Sequence, residues 1–220
     1  MRIGIIGAGH IGGTLTRRFS AVGHDVFVAN SRGPETLADL TAATGARAVT
    51  VEEAAHSGHV VVVTIPEGKI PKLPPELFEG VLPSVAVIDT GNYYPRQRDG
   101  RIEEIENGTP ESRWVESKLR RPVIKAFNTI YARHLLERGK PAGTANRIAL
   151  PVAGDDDAAK AVVMRLVDEI GFDPVDAGGL DESWRQQPGT PVYATDLDAQ
   201  GVLQALSEAS KNRAPEWSAS

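Results

Sequence analysis

The chain has no cysteine, which excludes disulfides, thiolate nucleophiles and cysteine-ligated metal sites. It also lacks a long apolar run. The most hydrophobic stretch, Val60 to Ile65, falls far short of the roughly 20 residues that span a bilayer, so no membrane partner is expected. A basic block is missing too. The formal net charge is −5 and Arg17-Arg18 and Arg120-Arg121 are isolated pairs, which argues against a nucleic-acid partner. His56 and His59 form the one close histidine pair and lie near a predicted turn, so no metal site is expected. The N-terminal "MRIGIIGAGHIGG" is apolar but broken by glycine and carries no cleavage-site pattern, which makes a cytoplasmic location the default.

What is present is 220 residues of ordinary globular composition, 41% hydrophobic and 24% charged. Segments with strand and helix character alternate along them. "RIGII", "DVFVA", "ARAVT", "HVVVVTIP", "SVAVIDT" and "RPVIKAF" read as strands, and the uninterrupted valine run suits a parallel sheet covered on both faces. Helices are predicted from about Ile11 to Val22, from Pro34 to Gly45 and over "VEEAAHSG", with a proline-rich crossover after the valine strand. A polar excursion, "YYPRQRDGRIEEIENGTPES", separates the last two of those strands. Beyond them come two short strands ("RIALPVAGD" and "DPVDAGGL"), helices over Asp155–Ile170 and Asp196–Ser210, and a tail, "KNRAPEWSAS", expected to fray. The expected fold class is α/β: a Rossmann-type, doubly wound, mostly parallel sheet over residues 1–150, with a small C-terminal α/β annex over 151–220.

The first strand runs into Gly7-Ala8-Gly9-His10-Ile11-Gly12 and then a helix, the context in which a GxGxxG pattern binds a dinucleotide. Gly7 allows the tight turn, Gly9 lets the backbone approach a pyrophosphate, and Gly12 lets helix and strand pack closely. The helix N-terminus offers unpaired N–H groups to the phosphates. An acidic residue is expected about 20 residues further on, at the end of the second strand, to hold a ribose hydroxyl. It is absent. Asn30-Ser31-Arg32 stand there instead, Asp25 is at the wrong end of the strand, and Glu35 lies in the following helix. A guanidinium pairs with a 2′-phosphate through two charge-assisted hydrogen bonds where a carboxylate would repel it, so the preferred cofactor is NADP(H). The alternative is that Arg32 is an exposed turn residue paired with Glu35 or Asp39.

"GIIGAGHIGGTL", "NSRGPETL", "VVVVTIP", "VIKAFNTI" and "LPVAGDD" fall in the order and spacing of the NADPH-dependent deazaflavin (coenzyme F-420) reductases, a family of NADP oxidoreductases that the chain resembles from Met1 to about Leu180. "KAFNT" is also similar to the cytosolic domain of the STEAP ferric reductases. The resemblance implies a homodimer and direct hydride exchange between NADP(H) and a second cofactor, a deazaflavin or a flavin such as FMN or FAD. It implies that Gly7, Gly9, His10, Ile11 and Gly12 line the pyrophosphate, and that Asn30, Ser31 and Arg32 meet the adenosine ribose, with Ser31 and Arg32 on the 2′-phosphate. Thr64, Ile65 and Pro66 would border the nicotinamide ribose, and Ala126 and Asn128 the nicotinamide. The second cofactor would lie over that ring, near Pro151-Val152-Ala153 and Gly178-Gly179-Leu180. The chain departs from the family at Phe127-Asn128-Thr129, where a His-Thr pair is the family's pattern.

Hydride transfer between stacked rings asks little of side chains beyond positioning, so no catalytic residue is assigned. A carbonyl or imine reductase, by contrast, needs a proton donor, and Tyr93, Tyr94, Lys125 and His134 are the residues near strand ends that offer one. A non-catalytic NADP(H) sensor is a further alternative. Against it, small apolar residues at Ala126 and Ala153 are expected to leave room for a ring.

Overall fold

Short apolar runs separated by helix-forming segments become six strands: β1 (Arg2–Ile6), β2 (Asp25–Ala29), β3 (Arg47–Ala48), β4 (Val60–Val63), β5 (Ala86–Asp89) and β6 (Ile124–Lys125). In the computed structural model, which describes residues 1–219, they form one parallel sheet in the order β3-β2-β1-β4-β5-β6. The connections are α1 (His10–Ala21), α2 (Ala38–Thr44) and α3 (Val51–His56), and, between β5 and β6, α4 (Glu103–Glu106) and α5 (Glu111–Leu119). After β6 come α6 (Ala132–Glu137), β7 (Ala149–Val152), α7 (Asp157–Glu169), β8 (Asp173–Asp176) and α8 (Ala199–Ser207).

All four valines of β4 are buried, and their side chains alternate between two cores as the pleat requires. Val60 and Val62 join Leu15 and Phe19 of α1 and Val163 and Leu166 of α7 on one face. Val61 and Val63 join Ala54 of α3 and Trp114 and Val115 of α5 on the other. The strand order reverses between β1 and β4, which opens a crevice beyond the carboxyl ends of those strands.

Two segments differ from expectation. The polar excursion holds a single π turn over Pro95–Asp99 as well as α4 and α5. Parallel strands need a covering crossover, and α5 supplies it by burying Trp114, Val115 and Leu119 among its many charges. The tail is anchored rather than frayed. Trp217, in a 3-10 turn, lies 6.1 Å from the Tyr94 ring and 5.8 Å from that of Tyr193, and Arg213 donates to Glu111 Oε1 at 2.8 Å. These partners lie far off in sequence, so the local polarity of the tail gave no sign of them.

β7 and β8 form a separate parallel pair. It meets the main sheet through an antiparallel bridge between Lys125 and Ala153. Among the described residues no helix is long and apolar enough to cross a membrane.

Candidate cofactor site

At the β1 end of the crevice each glycine of the loop has a distinct constraint. Gly7 turns the chain at φ 111°, and a Cβ there would lie 2.3 Å from the Thr64 carbonyl oxygen. A Cβ on Gly12 would lie 1.9 Å from the carbonyl oxygen of Gly7, so α1 can approach β1 only because residue 12 has no side chain. Gly9 is different: a Cβ there would meet nothing within 4 Å, because the residue faces open space. Gly9 is also the N-cap of α1, without a side-chain cap and without an acidic residue in the first turn. The first N–H groups of the helix thus carry their partial positive charge toward that opening, flanked by exposed His10 and half-buried Ile11, which fits a pyrophosphate.

The end of β2 divides its residues between structure and surface. Asn30 is committed to the turn: its Oδ1 accepts from Arg32 N at 2.8 Å and its Nδ2 donates to Thr36 Oγ1 at 2.8 Å. Ser31 and Arg32 are exposed, and among the described residues neither Glu35 nor Asp39 pairs with the Arg32 guanidinium. Glu35 folds back over Gly33, where a Cβ would lie 2.5 Å from its Oε1. A free guanidinium beside a hydroxyl, with no carboxylate at the strand end, fits a phosphate monoester better than a ribose diol.

At the β4–β6 end the chemistry is buried. Thr64, Ile65 and Pro66 are half-buried at the rim, and Glu67 behind them is fully buried. Lys125, also fully buried, donates to Asp89 Oδ2 at 3.1 Å and to the Gly91 carbonyl at 2.6 Å, and Ser112 Oγ donates to the same Asp89 oxygen at 2.7 Å. Glu111 accepts from Tyr93 N and from Arg213. Burial alone would lower the Lys125 pKa, but its acidic neighbours, Asp89 first, outweigh it and raise the pKa. Burial raises the Glu111 carboxyl, with Lys125 and Arg213 opposing.

Asn128 does not present its amide to the crevice. Its Nδ2 donates to Asn92 Oδ1 at 3.0 Å and to the Gln186 carbonyl at 2.6 Å, while its Oδ1 accepts from Gln186 Nε2 at 3.0 Å. Asn92 closes the knot by donating to the Asn128 carbonyl at 2.9 Å. Both N–H groups of the Asn128 amide are spent, so it ties β5, β6 and the annex together. The knot adjoins Phe127, a buried aromatic held at φ 63°, a conformation that side chains of its bulk rarely adopt.

Three of the four possible proton donors are likewise committed. Tyr93 is buried, its hydroxyl accepts from Ile102 N at 2.9 Å, and burial pushes its pKa up to about 12. Lys125 is locked to Asp89, and His134 pairs with Asp196 at 2.9 Å on α6. Tyr94 remains half-buried, with its hydroxyl on that of Tyr193, whose pKa is raised by burial and by that hydrogen bond.

Five expected placements change. Ala126 and Ala153 do not line an open pocket: both are fully buried, and Ala153 exchanges two backbone hydrogen bonds with Lys125, at 2.8 and 3.0 Å. Pro151 and Val152 are also enclosed. The Gly178-Gly179-Leu180 turn is not brought over the crevice. Leu180 N donates to Asp155 Oδ1 at 2.9 Å, and Asp155 lines a cavity of about 180 Å³ with Pro83, Val85 and Val123, which precede β5 and β6. The annex contributes Gln186 and Tyr193 to the carboxyl side instead.

Residues 2–93 match the model of a family described as NADP oxidoreductase, coenzyme F420-dependent. The likeness read from the sequence is to this family. Protein YjhV of Escherichia coli K12 is 45% identical over 92 residues, which are 42% of this chain and 60% of that protein, so the chain spans less than two thirds of that relative. Among solved structures, the hypothetical protein SMa0349 of Sinorhizobium meliloti superposes with a TM-score of 0.77 at 29% identity, over 90% of this chain and 94% of that one. An Arthrobacter sp. FB24 protein proposed to be an F420-dependent NADP reductase gives 0.66 at 21% identity, over 82% of this chain and 86% of that one, a likeness of fold.

Sequence reasoning missed Glu67, Asp89, Asn92, Gln186, Tyr193 and Arg213. A signal for one pair was there: "AVID" and "VIK" are apolar strands that each end on a charge of opposite sign.

Proposed function

We propose that the protein is an NADP(H)-dependent oxidoreductase that exchanges hydride directly with a deazaflavin or flavin ring. The observation that carries the cofactor half of this reading is the exposed, unpaired guanidinium of Arg32 at the end of β2. Arg32 and Ser31 hold the 2′-phosphate, the N-terminus of α1 with Gly9 takes the pyrophosphate, and Thr64 to Pro66 border the second ribose. When bound, NADPH supplies the hydride. Lys125, Asp89 and the Asn92–Asn128–Gln186 knot fix the backbone at the ends of β5 and β6. The committed state of Tyr93, Lys125 and His134 supports an acceptor that asks the protein for position rather than acid catalysis. A homodimer belongs to the same reading and rests on the family resemblance.

The Tyr94–Tyr193 hydroxyl pair favours a second reading. Either hydroxyl of the pair can donate; with Tyr193 donating, the Tyr94 O–H is left free to protonate a reduced carbonyl or imine. Anaerobic mixing with NADPH decides between them. Bleaching of a deazaflavin or flavin, unaffected by Tyr94→Phe, supports the first reading. Turnover confined to a carbonyl or imine and abolished by Tyr94→Phe replaces it with the second.

A further inference from the structure

Glu67 is fully buried, and neither of its carboxyl oxygens has a hydrogen-bond partner. It follows directly on Thr64-Ile65-Pro66 at the end of β4. A Cβ on Gly91 would lie 2.4 Å from Glu67 Oε1 and 3.0 Å from Asp89 Oδ1, so the two carboxyls flank the turn that leaves β5.

The groups that face Glu67 come from every element packed around it: Asp89 from β5, Lys125 from β6, Glu111 from α5 and Asp99 from the π turn. Asp99 is matched by Arg98 at 3.1 Å and also accepts from Gly68 N and Tyr94 N. Lys125 matches Asp89, and Arg213 matches Glu111. Glu67 is therefore the one acid of the cluster without a cation of its own. An ionised carboxylate with no donor in such a place is strongly disfavoured. Burial first, and Asp89 second, hold its pKa well above the ordinary carboxylate range.

We propose that Glu67 couples its proton to the oxidation state of the bound nicotinamide. The inference rests on the NADP(H) reading above. An oxidised nicotinamide ring carries a positive charge and a reduced one carries none, while the phosphates are common to both nucleotides. Ionised Glu67, at the same carboxyl edge of the sheet, attracts only the oxidised ring. By linkage, NADP+ favours loss of the Glu67 proton to solvent and NADPH favours its retention. The ratio Kd(NADP+)/Kd(NADPH) then falls as pH rises through the titration of Glu67.

Calorimetric titration of the full chain with NADP+ and with NADPH, between about pH 5 and pH 9, tests this. For unit charges roughly 10 Å apart at an effective dielectric constant near 20, the wild-type ratio falls about tenfold, whereas in Glu67→Gln, a neutral isostere of the protonated acid, it stays flat. The wild-type protein alone gives a second readout. In buffers of different ionisation enthalpy, NADP+ binding releases a fraction of a proton that NADPH binding does not. A pH-independent ratio in the wild type, an unchanged slope in Glu67→Gln, or equal proton release with both nucleotides overturns the proposal. Failure of either nucleotide to bind would instead overturn the NADP(H) reading and this inference with it.

Discussion

At the β1–β2 end of the crevice, Gly9, Ser31 and Arg32 are exposed, and no carboxylate pairs with the Arg32 guanidinium among the described residues. At the β4–β6 end, Lys125, Asp89, Glu111 and Asn128 are buried, and each is bonded within the protein: Lys125 to Asp89, Glu111 to Tyr93 and Arg213, and Asn128 to Asn92 and Gln186. The first region is a local product of strand, turn and helix. The second is assembled from β5, β6, the crossover and the annex, through contacts between residues 18 to 102 positions apart. An open site made locally takes its charge from the ligand, whereas a closed one must balance its charges internally. That is why Glu67, the acid of the buried cluster without a cation of its own, has its pKa held well above the ordinary carboxylate range.

The largest way to break this contrast is to remove the central cation of the buried end. Lys125→Met leaves Asp89 buried without its cation, with Ser112 and the Gly91 amide as its remaining donors, and should cost about 3–5 kcal/mol, measured by urea denaturation. Asn128→Ala removes the knot and strands Gln186 Nε2 without an acceptor, a loss of about 2 kcal/mol by the same measurement. If Asn128 acts through position, NADPH affinity should change little. Trp217→Ala should be milder, about 1 kcal/mol, because the half-buried ring packs on Tyr94 and Tyr193 at one side of the annex. For a chain of this size that is a Tm decrease of roughly 2–4 °C.

The same contrast explains what was legible in the sequence. The glycine loop, the valine strand and "NSRGPETL" could be read because each acts with residues within a few positions of itself. The anchoring of Asn30 by Thr36 was within that range as well. Ala126 and Ala153 were misplaced because small size in a sequence fits both the lining of a pocket and the close approach of two backbones, and here Lys125 and Ala153 are bridged. The Gly178–Leu180 turn was misplaced because its location depends on how the β7–β8 pair docks, which no local pattern encodes. The anchoring of the tail by Trp217 and Arg213 likewise needed partners in the crossover and the annex.

Arg32 carries the assignment of the open end, and its replacement is the most direct test. Binding of NADPH and NADH should be measured side by side, in the wild type and in Arg32→Ala. The wild type should prefer NADPH. The variant should lose roughly 10- to 100-fold in NADPH affinity, as for a lost charge-assisted contact, with NADH nearly unchanged. Equal losses for both nucleotides, or a wild type indifferent to the 2′-phosphate, would contradict the account.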